Sequence, residues 1–322
     1  MKYLGAIHIH TNLSDGTGDI NSITKSAKKA GLSWIIITDH NNFDVNEGFI
    51  NGVCVIKGEE ISPSNNSNHY IALGINELIE PSNNARDNVN NVRLAGGFGF
   101  AAHPDESENR NNSFKPIKWL DKNIIPPGIE IWNWFSMWGD NYNDKNIFTK
   151  IYSCLFKKKL VKKPYGKTLD WWDELNNKSE KIVPAVGGID AHALKISGYL
   201  IPLTIFSYDF MFKTIANEIF LENSLSDDFE TAKNQILKAI KNGNNIIVNR
   251  LISKNLPEFY IQNNILIVKS PVKCDIRILK NGEEYFSCND RYIKLQIYEG
   301  KYRVELTLNG KGFMYSNPII VK

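Results

Sequence analysis

Short apolar runs alternate with longer helical patterns from the start of the chain to about residue 205. Such alternation is typical of βα units built around a mostly parallel sheet. The predicted strands cover residues 3–10, 34–40, 53–61, 69–75, 98–103, 128–134 and 183–189. Between the first two strands, residues 19–30 predict a helix that Asp19 caps and Gly31 ends. Seven strands in this arrangement favour a barrel.

After residue 255 the pattern changes to alternating strands, at residues 265–269, 275–280, 292–297 and 302–308. The pairs Asn281-Gly282 and Asn309-Gly310 are favoured hairpin turns and punctuate these strands. Before them, residues 231–241 predict an amphipathic helix ended by Asn242-Gly243. We therefore expect an α/β protein in three parts: a barrel over residues 1–205, a linking helical segment over residues 206–254 and a small antiparallel β-sandwich over residues 255–322.

The composition is that of an ordinary globular protein, with 42% hydrophobic and 23% charged residues in a chain of 322. A net charge of +3 does not require nucleic acid or an anionic membrane as a partner. The four cysteines form no CxxC pair, which argues against a zinc ribbon and fits a reducing compartment. The sequence shows no signal peptide and no apolar run of membrane-spanning length, so we expect a cytoplasmic protein without a membrane partner.

One local basic patch stands out at residues 157–163, where five of the seven residues are lysine. We interpret it as a solvated helix end, because lysines near a helix C-terminus complement the helix dipole. A nucleic-acid surface would carry more clustered arginine with aromatic residues nearby. We therefore expect no nucleic-acid partner.

All six histidines lie at or within a few residues of the end of a predicted strand, the rim where barrel enzymes place their chemistry. His8 and His10 are two residues apart, so on a strand their rings point to the same side and can share one metal ion. Asp190 and His192 repeat this spacing. Other strand ends carry His40, His69, His103, Glu59 and Glu60, and Asp15 comes just past the first strand. Imidazole and carboxylate ligands in this pattern predict a cluster of two or three divalent cations.

Other residues are candidates for supporting roles. Asp39, directly before His40, is placed either to accept a ring proton from a ligand histidine or to cap a helix. Arg110 and Lys115, in the loop after His103, are candidates for binding a phosphate group, although exposed basic residues are ordinary in loops. Of six aromatic residues near other strand ends, we expect about half to be core and the others to line a pocket. These six are Trp132, Trp134, Phe135, Trp138, Trp171 and Trp172.

The motifs run in the order His8-Ile9-His10, Ser14-Asp15-Gly16, Thr38-Asp39-His40, Gly58-Glu59-Glu60, His69, Ala102-His103-Pro104 and Asp190-Ala191-His192. Their order resembles the polymerase-and-histidinol-phosphatase (PHP) family. Near the end of the chain, Tyr302-Arg303-Val304-Glu305 and Ser316-Asn317-Pro318-Ile319 are similar to the carbaryl-hydrolase-like branch, the CehA/McbA family metallohydrolases. The resemblance thus spans nearly the whole chain.

The resemblance implies a distorted seven-stranded (β/α) barrel with a trinuclear site of zinc, manganese or iron. One metal ion would be held by His8, His10, Glu60 and Asp190. Glu60 would bridge to a second ion held by His69 and His103, and the third would be held by Asp15, His40 and His192. Glu60 is chosen over Glu59 because the family pattern is glycine, any residue, glutamate. Glu60, Asp190 and His192, together with Asp39, are the candidate catalytic residues.

One departure from the family pattern is Asn68, at a position where members often carry glycine. It bears on access to the second metal ion and leaves the ligand histidine that follows it in place. We expect no change in metal binding from this difference.

The family hydrolyses phosphoesters or, in some members, carbamates, and a hydroxide held between cations about 3.5 to 4 Å apart serves both reactions. Our first hypothesis is a phosphoesterase acting on a small phosphate ester or a nucleotide-type diester. The second is a metal-dependent carbamate, ester or amide hydrolase. The third is a metal-binding regulatory module that uses its C-terminal domain for partners, against which the intact ligand set argues. The sequence leaves the oligomeric state open.

Overall fold

A computed structural model describes residues 1–112, 114–196 and 203–322 of the chain. The strands of its first part are β1 (Lys2–Ile9), β2 (Trp34–Ile37), β3 (Gly48–Ile50), β4 (Val53–Lys57), β5 (Glu59–Ile61), β6 (Tyr70–Leu73), β7 (Phe98–Ala101), β8 (Ile129–Asn133) and β9 (Ala185–Ala191). Its helices are α1 (Ile20–Lys29), α2 (Ala85–Leu94), α3 (Trp134–Asn141), α4 (Ile147–Leu155), α5 (Lys157–Leu160) and α6 (Gly166–Lys178). A two-stranded sheet of β10 (Lys195–Ile196) and β11 (Leu203–Thr204) follows. Each of the seven predicted strand positions contains a strand.

The pairings of these strands close on themselves. β1 is parallel to β2, β2 to β4, β7 to β8, β8 to β9, and β9 to β1. β5, which continues β4 after Gly58, is antiparallel to β6, and β6 is antiparallel to β7, so the sheet is only mostly parallel. The eight residues 62–69 between β5 and β6 explain one antiparallel pair, because a parallel crossover needs about a dozen residues or more.

The first predicted helix has the ends that the sequence indicates. The side chain of Asp19 accepts a hydrogen bond of 2.9 Å from the backbone N–H of Ser22, at the start of α1. Gly31 follows the helix with a φ of +75°, a conformation that glycine adopts without a steric penalty. The helix therefore occupies the expected stretch between β1 and β2.

Residues 206–254 contain more than the expected linking helix. They form α7 (Tyr208–Met211), β12 (Ile215–Phe220), α8 (Phe229–Lys241) and β13 (Asn245–Asn249). α8 is the predicted amphipathic helix, whereas β12 pairs antiparallel with both β1 and β13 and extends the sheet. The polar Asn217 interrupts the apolar pattern of β12, yet its amide is paired with the backbone of Gly187. This buried amide pairing explains why apolar pattern alone did not predict the strand.

The C-terminal region consists of β14 (Glu258–Gln262), β15 (Ile265–Lys280), β16 (Glu283–Gln296), β17 (Gly300–Leu308), β18 (Lys311–Ser316) and β19 (Ile319–Val321). All their pairings are antiparallel. Asn281 and Asn309 have positive φ values and precede glycine at the two predicted hairpin turns. The predicted strands at residues 265–269 and 275–280 are the two halves of β15, separated by a break in register. These strands enclose an apolar core that also contains Ala216 of β12 and Ile246 and Val248 of β13.

The C-terminal strands are joined to the rest of the molecule by pairing and by polar contacts. β18 is antiparallel to β13, so one sheet runs from β1 into the C-terminal region. The side chain of Asn317 accepts a hydrogen bond of 2.6 Å from the backbone N–H of Ala185 on β9. In the described residues, no helix is long and apolar enough to cross a membrane.

Candidate metal centre

The six histidine rings meet at one end of the closed sheet. Neighbouring ring centroids lie 4.1 Å apart for His10 and His192, 4.4 Å for His10 and His40, and 5.2 Å for His8 and His10. His103 lies 5.5 Å from His8 and 5.3 Å from His69. Histidines separated by up to 184 positions in sequence therefore share one site.

Glu60 lies at the centre of this cluster. Its Oε1 atom is 2.8 Å from Nδ1 of His69 and 3.1 Å from Nε2 of His103. Its Oε2 atom is 3.1 Å from Nε2 of His8, 3.3 Å from Nε2 of His10 and 3.1 Å from Nδ1 of His40. One carboxylate thus faces ring nitrogens of five histidines.

Glu59 points away from the histidines. Its Oε2 atom accepts a hydrogen bond of 2.9 Å from the backbone N–H of Ile79, and burial raises the pKa of its carboxyl group to about 7. Successive residues of a strand face opposite sides of the sheet, which is why two adjacent glutamates have different surroundings. The geometry favours Glu60 as the central carboxylate.

Asp190 completes the buried part of the cluster. Its Oδ1 atom lies 3.3 Å from Nε2 of His10 and 3.6 Å from Nε2 of His8. The side chains of His8 and His10 are fully buried, and that of Asp190 is 9% exposed. Together with Glu60, these residues are the four predicted to hold one metal ion.

Asp15, His40 and His192 form the outer part of the cluster. Asp15 Oδ1 is 3.2 Å from His192 Nε2, and Asp15 Oδ2 is 3.7 Å from His40 Nε2. His10 also belongs to this group, because its Nδ1 atom is 3.7 Å from Asp15 Oδ1. The side chain of Asp15 is 56% exposed and that of His40 is 28% exposed. The cluster therefore opens to solvent on this side.

Three of the clustered residues have a left-handed backbone. The φ angles are +67° at His8, +27° at His103 and +54° at Asp190. The register between β1 and β9 also shifts between Ile7 and Ile9, which marks a bulge at His8. Such strained positions are common at functional sites, where they aim a side chain. The sequence predicted a regular strand here and gave no sign of the bulge.

Glu130, which the sequence analysis missed, supports the cluster from within β8. Its Oε1 atom is 2.7 Å from Nδ1 of His8, and its Oε2 atom accepts a hydrogen bond of 2.7 Å from the backbone N–H of His103. Asn133 joins this arrangement, with its amide nitrogen 3.0 Å from Glu130 Oε2 and 3.2 Å from Asp190 Oδ2. A carboxylate within the apolar run Ile129–Asn133 was the sequence signal that could have identified it.

Gly188 makes room for Glu130. A Cβ atom at this glycine would lie 1.6 Å from Glu130 Oε1 and 3.1 Å from the Cβ atom of His8. Any larger residue would displace the carboxylate from His8. Gly188 is therefore part of how the site is assembled.

Asp39 does not contact a histidine of the cluster in the described part of the chain. Its Oδ1 atom accepts hydrogen bonds from the backbone N–H of Thr11 at 2.7 Å and from the Ser14 hydroxyl at 2.6 Å, and its Oδ2 atom accepts one from the Thr11 hydroxyl. The expected role in orienting a ligand histidine thus has no contact to support it. Asp39 instead holds the loop that carries Asp15.

Arg110 is already paired with two carboxylates. Its guanidinium lies 2.6 Å from Glu106 and 2.7 Å from Asp140. Burial disfavours the charged form, but the two carboxylates outweigh it and raise the pKa of Arg110. Lys115 is exposed in the same loop. The arrangement gives Arg110 an evident role in ordering this loop and does not leave its charge available for a phosphate.

Phe135 is the aromatic residue that reaches the cluster. Its ring lies 5.4 Å from that of His192 and is half-buried. Trp132 packs against Tyr315, and Trp172 lies under Arg303. Trp134, Trp138 and Trp171 are also buried. Fewer of the six aromatic residues line the site than the sequence led us to expect.

The charges of the cluster stabilise one another against burial. Burial would raise the pKa of Glu60 and Asp190, but the surrounding histidines hold both well below the ordinary range. Burial would lower the pKa of His103 and His192, but neighbouring carboxylates raise both to about 9. Without cations, these two rings therefore keep protons at neutral pH.

The unpaired atoms of the cluster fit metal ions. Six buried ligand atoms in the described part of the chain have no hydrogen-bond partner: His8 Nε2, both ring nitrogens of His10, Glu60 Oε2, His69 Nε2 and His103 Nδ1. Ligand atoms of the cluster also form sets of three or four that lie within 4.8 Å of one another. Buried polar atoms without partners are rare in folded proteins, and imidazole with carboxylate suits zinc, manganese and iron. The donor set therefore fits divalent cations.

Comparison with known proteins agrees with this site. The family model of the PHP domain matches residues 6–247. An uncharacterized protein of Methanocaldococcus jannaschii is 29% identical over 39% of this chain and 80% of its own length. A crystal structure from Bacteroides vulgatus, described as a two-domain protein containing a predicted PHP-like metal-dependent phosphoesterase, has a similar fold. It covers 99% of this chain and 95% of its own, with a TM-score of 0.52 and 14% identity.

Proposed function

Because the chain belongs to the PHP domain family, we propose that it is a metal-dependent phosphoesterase acting on a small phosphate ester or diester. The observation that carries the proposal is the position of Glu60, whose two oxygens face ring nitrogens of five histidines at 2.8 to 3.3 Å. A carboxylate so placed suits a bridging ligand between two cations. Family membership supports hydrolysis as the reaction.

We propose the ligand sets that the family resemblance implied. His8, His10, Glu60 and Asp190 would hold one ion, Glu60 with His69 and His103 a second, and Asp15, His40 and His192 a third. The contacts of Glu60 with four histidines of the first two sets, and of Asp15 with the two histidines of the third, support the assignment. The position of His10 between the inner and outer groups allows it to serve either. The sheet closed by β1 to β9 is, on this proposal, the seven-stranded barrel of the family.

Divalent cations held by these residues would supply Lewis acidity toward a substrate oxygen and would lower the pKa of water at the site. The chain's own residues hold the ligand rings in the required orientation. Glu130 accepts the Nδ1 proton of His8, which leaves Nε2 facing Glu60 and Asp190. The backbone carbonyl of Asp190 accepts the Nδ1 proton of His192 at 3.0 Å, which leaves its Nε2 facing Asp15.

The exposed outer group is where we place the substrate. Asp15 and His40 are the solvent-accessible members of the cluster, and Phe135 lies beside His192 as an apolar wall. A leaving group with an apolar surface would pack on this ring. Lys115 stays a candidate for contacting the substrate, since no described ion pair engages it. We also propose a cytoplasmic location, which the unpaired state of all four cysteines supports.

A second candidate is hydrolysis of a carbamate, ester or amide. Arg110, the arginine predicted to bind phosphate, is neutralised by Glu106 and Asp140, which favours a substrate without a phosphate group. The C-terminal resemblance to the CehA/McbA branch supports the same alternative.

A substrate panel tests the proposal. Protein loaded separately with zinc, manganese or iron is assayed on p-nitrophenyl phosphate, bis-p-nitrophenyl phosphate and p-nitrophenyl acetate. We expect metal-dependent release of nitrophenol from at least one phosphate ester. Activity on the acetate alone would favour the second candidate, and no activity on any ester with metal bound would favour a regulatory module.

A further inference from the structure

Helix α4 turns its apolar side chains toward solvent. Ile147, Phe148, Ile151, Tyr152 and Leu155 are 47% to 81% exposed, and their spacing places them on one face of the helix. A helix that packs on a globular core buries such a face. An exposed apolar stripe of this kind indicates a surface that contacts something else.

The side of α4 that faces the protein is polar instead. Ser153 is the buried residue of the helix among those described. Its hydroxyl accepts a hydrogen bond from the backbone N–H of Asn143, and its carbonyl accepts one from the indole N–H of Trp138. The helix is thus held in place by its polar side, and its orientation is fixed with the apolar side outward.

The surface around this helix is basic. Residues 144–163, which we call the α4–α5 surface, contain seven lysines and one acidic residue, for a net charge of +6 in a chain of net +3. None of the five lysines in residues 157–163 forms an ion pair with the described residues. Lys157 lies 4.0 Å from the ring of Phe210, and Lys159 lies 4.8 Å from the ring of Phe156. These distances are measured from Nζ to the ring centre, so both ammonium groups lie over aromatic rings, and the side chains of Lys158 and Lys159 are exposed.

The positive charge and the exposed apolar side chains together indicate which class of partner this surface binds. A second copy packed through the same face would place like charges against each other, which opposes association. Nucleic acid would use the lysines but would leave the aliphatic side chains exposed, and the surface contains no arginine. An anionic lipid bilayer accommodates both the positive charge and the apolar side chains. Its headgroups attract the lysines, and its boundary with the acyl chains buries the apolar side chains.

We propose that the α4–α5 surface binds the protein peripherally to anionic phospholipid membranes. This differs from the expectation of no membrane partner, which rested on the small net charge of the whole chain and on the lack of a signal peptide and of an apolar run of membrane-spanning length. Phe148 and Leu155, the most exposed apolar side chains of α4, insert into the interface, and the lysines of α5 contact the headgroups.

The surface adjoins the candidate metal centre. The Lys157 Nζ atom lies 4.9 Å from the ring of Phe206, which packs at 6.0 Å against Phe135, the ring beside His192. The α4–α5 surface is therefore connected to His192 through two packed aromatic rings. The membrane proposal itself does not depend on the reaction that the site performs.

Vesicle sedimentation tests the proposal with the full-length chain. Wild-type protein is expected to sediment with vesicles of equal parts phosphatidylcholine and phosphatidylglycerol, to remain in solution with phosphatidylcholine alone, and to dissociate as salt is raised. Phe148→Ser with Leu155→Ser, and separately Lys158→Glu with Lys159→Glu, should each lower the partition coefficient by roughly tenfold or more. All four side chains are exposed, so both variants are expected to fold, which circular dichroism checks.

A matched control carries Leu94→Ser and Lys25→Glu, because Leu94 is 79% exposed, comparable to Leu155, and both residues lie outside the α4–α5 surface. This control should bind vesicles as the wild type does. Failure of the wild type to bind the anionic vesicles at low salt would overturn the proposal. So would equal loss in the control, or a wild-type dimer in analytical ultracentrifugation that Phe148→Ser with Leu155→Ser dissociates without any change in vesicle binding.

Discussion

Two adjacent buried glutamates with different surroundings give a direct test of the site at the residue scale. Glu60→Gln removes the charge that faces five histidines, so we expect loss of bound metal and a fall in hydrolysis of more than about a hundredfold, beyond the usual effect of a residue that only supports a ligand. Glu59→Gln keeps the hydrogen bond to Ile79 and should retain both the bound metal and the rate of hydrolysis. Metal content and rate are measured on each purified variant.

Equal loss of metal in the two glutamate variants would contradict the central position of Glu60. It would indicate that both carboxylates affect metal binding only by stabilising β5. The pair is well matched, since both side chains are buried on the same short strand.

Glu130 is predicted to act through His8. Glu130→Gln weakens the acceptor for the Nδ1 proton of His8, and we expect metal affinity to fall by about 10- to 100-fold while the fold is retained. Gly188→Ala should reproduce this loss, because the added methyl group overlaps the carboxylate. Competition with a chromogenic chelator measures both affinities. Unchanged metal affinity in both variants would show that Glu130 does not support metal binding.

Metal binding should release protons. His103 and His192 have a pKa raised to about 9 in the metal-free cluster, and each must lose its proton to bind a cation through the ring. Affinity is therefore expected to rise with pH up to about 9 and to weaken as pH falls. Calorimetry in buffers of different ionisation enthalpy counts the protons. Proton uptake on binding, or an affinity independent of pH, would contradict the raised values.

Residue identities in the cluster could be inferred from the sequence, because each histidine follows or precedes an apolar run that fixes its place at a strand end. The backbone conformation of these residues could not be inferred from the sequence. The left-handed φ of His8 and the bulge beside it depend on how β1 meets β9, a contact between distant segments. Asn68 has a φ of +56°, which explains how asparagine occupies a position where the family often has glycine.

At the scale of elements, the strands of the closed sheet were predictable since their apolar runs are short, and β1 is separated from β2 by a helix with clear ends. The strands β12 and β13 were not, because Asn217 and Asn245 break the apolar pattern. Their amides are satisfied by distant segments, Asn217 by Gly187 on β9 and Asn245 by Ala185 on β9 and by Asn317. Helix α4, whose apolar face is exposed, was not predicted from the sequence either. An apolar pattern does not by itself show which face of a helix the protein covers.

Arg303 on β17 joins the C-terminal strands to α6. It pairs with Asp173 at 2.6 Å and with Glu305 at 2.6 Å, and its side chain is 3% exposed. Arg303→Ala leaves the largely buried Asp173 without an ion-pair partner and leaves Glu305 with only the 3.4 Å contact to Arg277, so we expect a loss of about 3 kcal/mol or more of unfolding free energy. Arg277→Ala, an exposed arginine that contacts Glu284 and the same Glu305, should cost less than about 1 kcal/mol.

Urea denaturation of the two arginine variants measures this difference. Similar stabilities would show that the buried ion pair does not fasten the C-terminal strands to α6. Both arginines pair with carboxylates, so the difference in stability between the two variants reports the effect of burying the ion pair.

For the whole molecule, the C-terminal region is expected to be required for stability of the barrel. β13 pairs with β18, and Asn317 contacts the backbone of Ala185 on β9. A chain ending at residue 254 would lose these contacts and expose one side of β13. We expect it to have a lower melting temperature than the full chain or to aggregate. An unchanged melting temperature would show that the two regions fold independently.

The account depends on the six histidines binding cations, and elemental analysis of protein purified without chelator tests this most directly. We predict about two or three zinc, manganese or iron ions per chain, removed by chelation with a fall in melting temperature. Protein that binds no transition metal even after incubation with each ion, and whose stability chelators leave unchanged, would contradict the central claim.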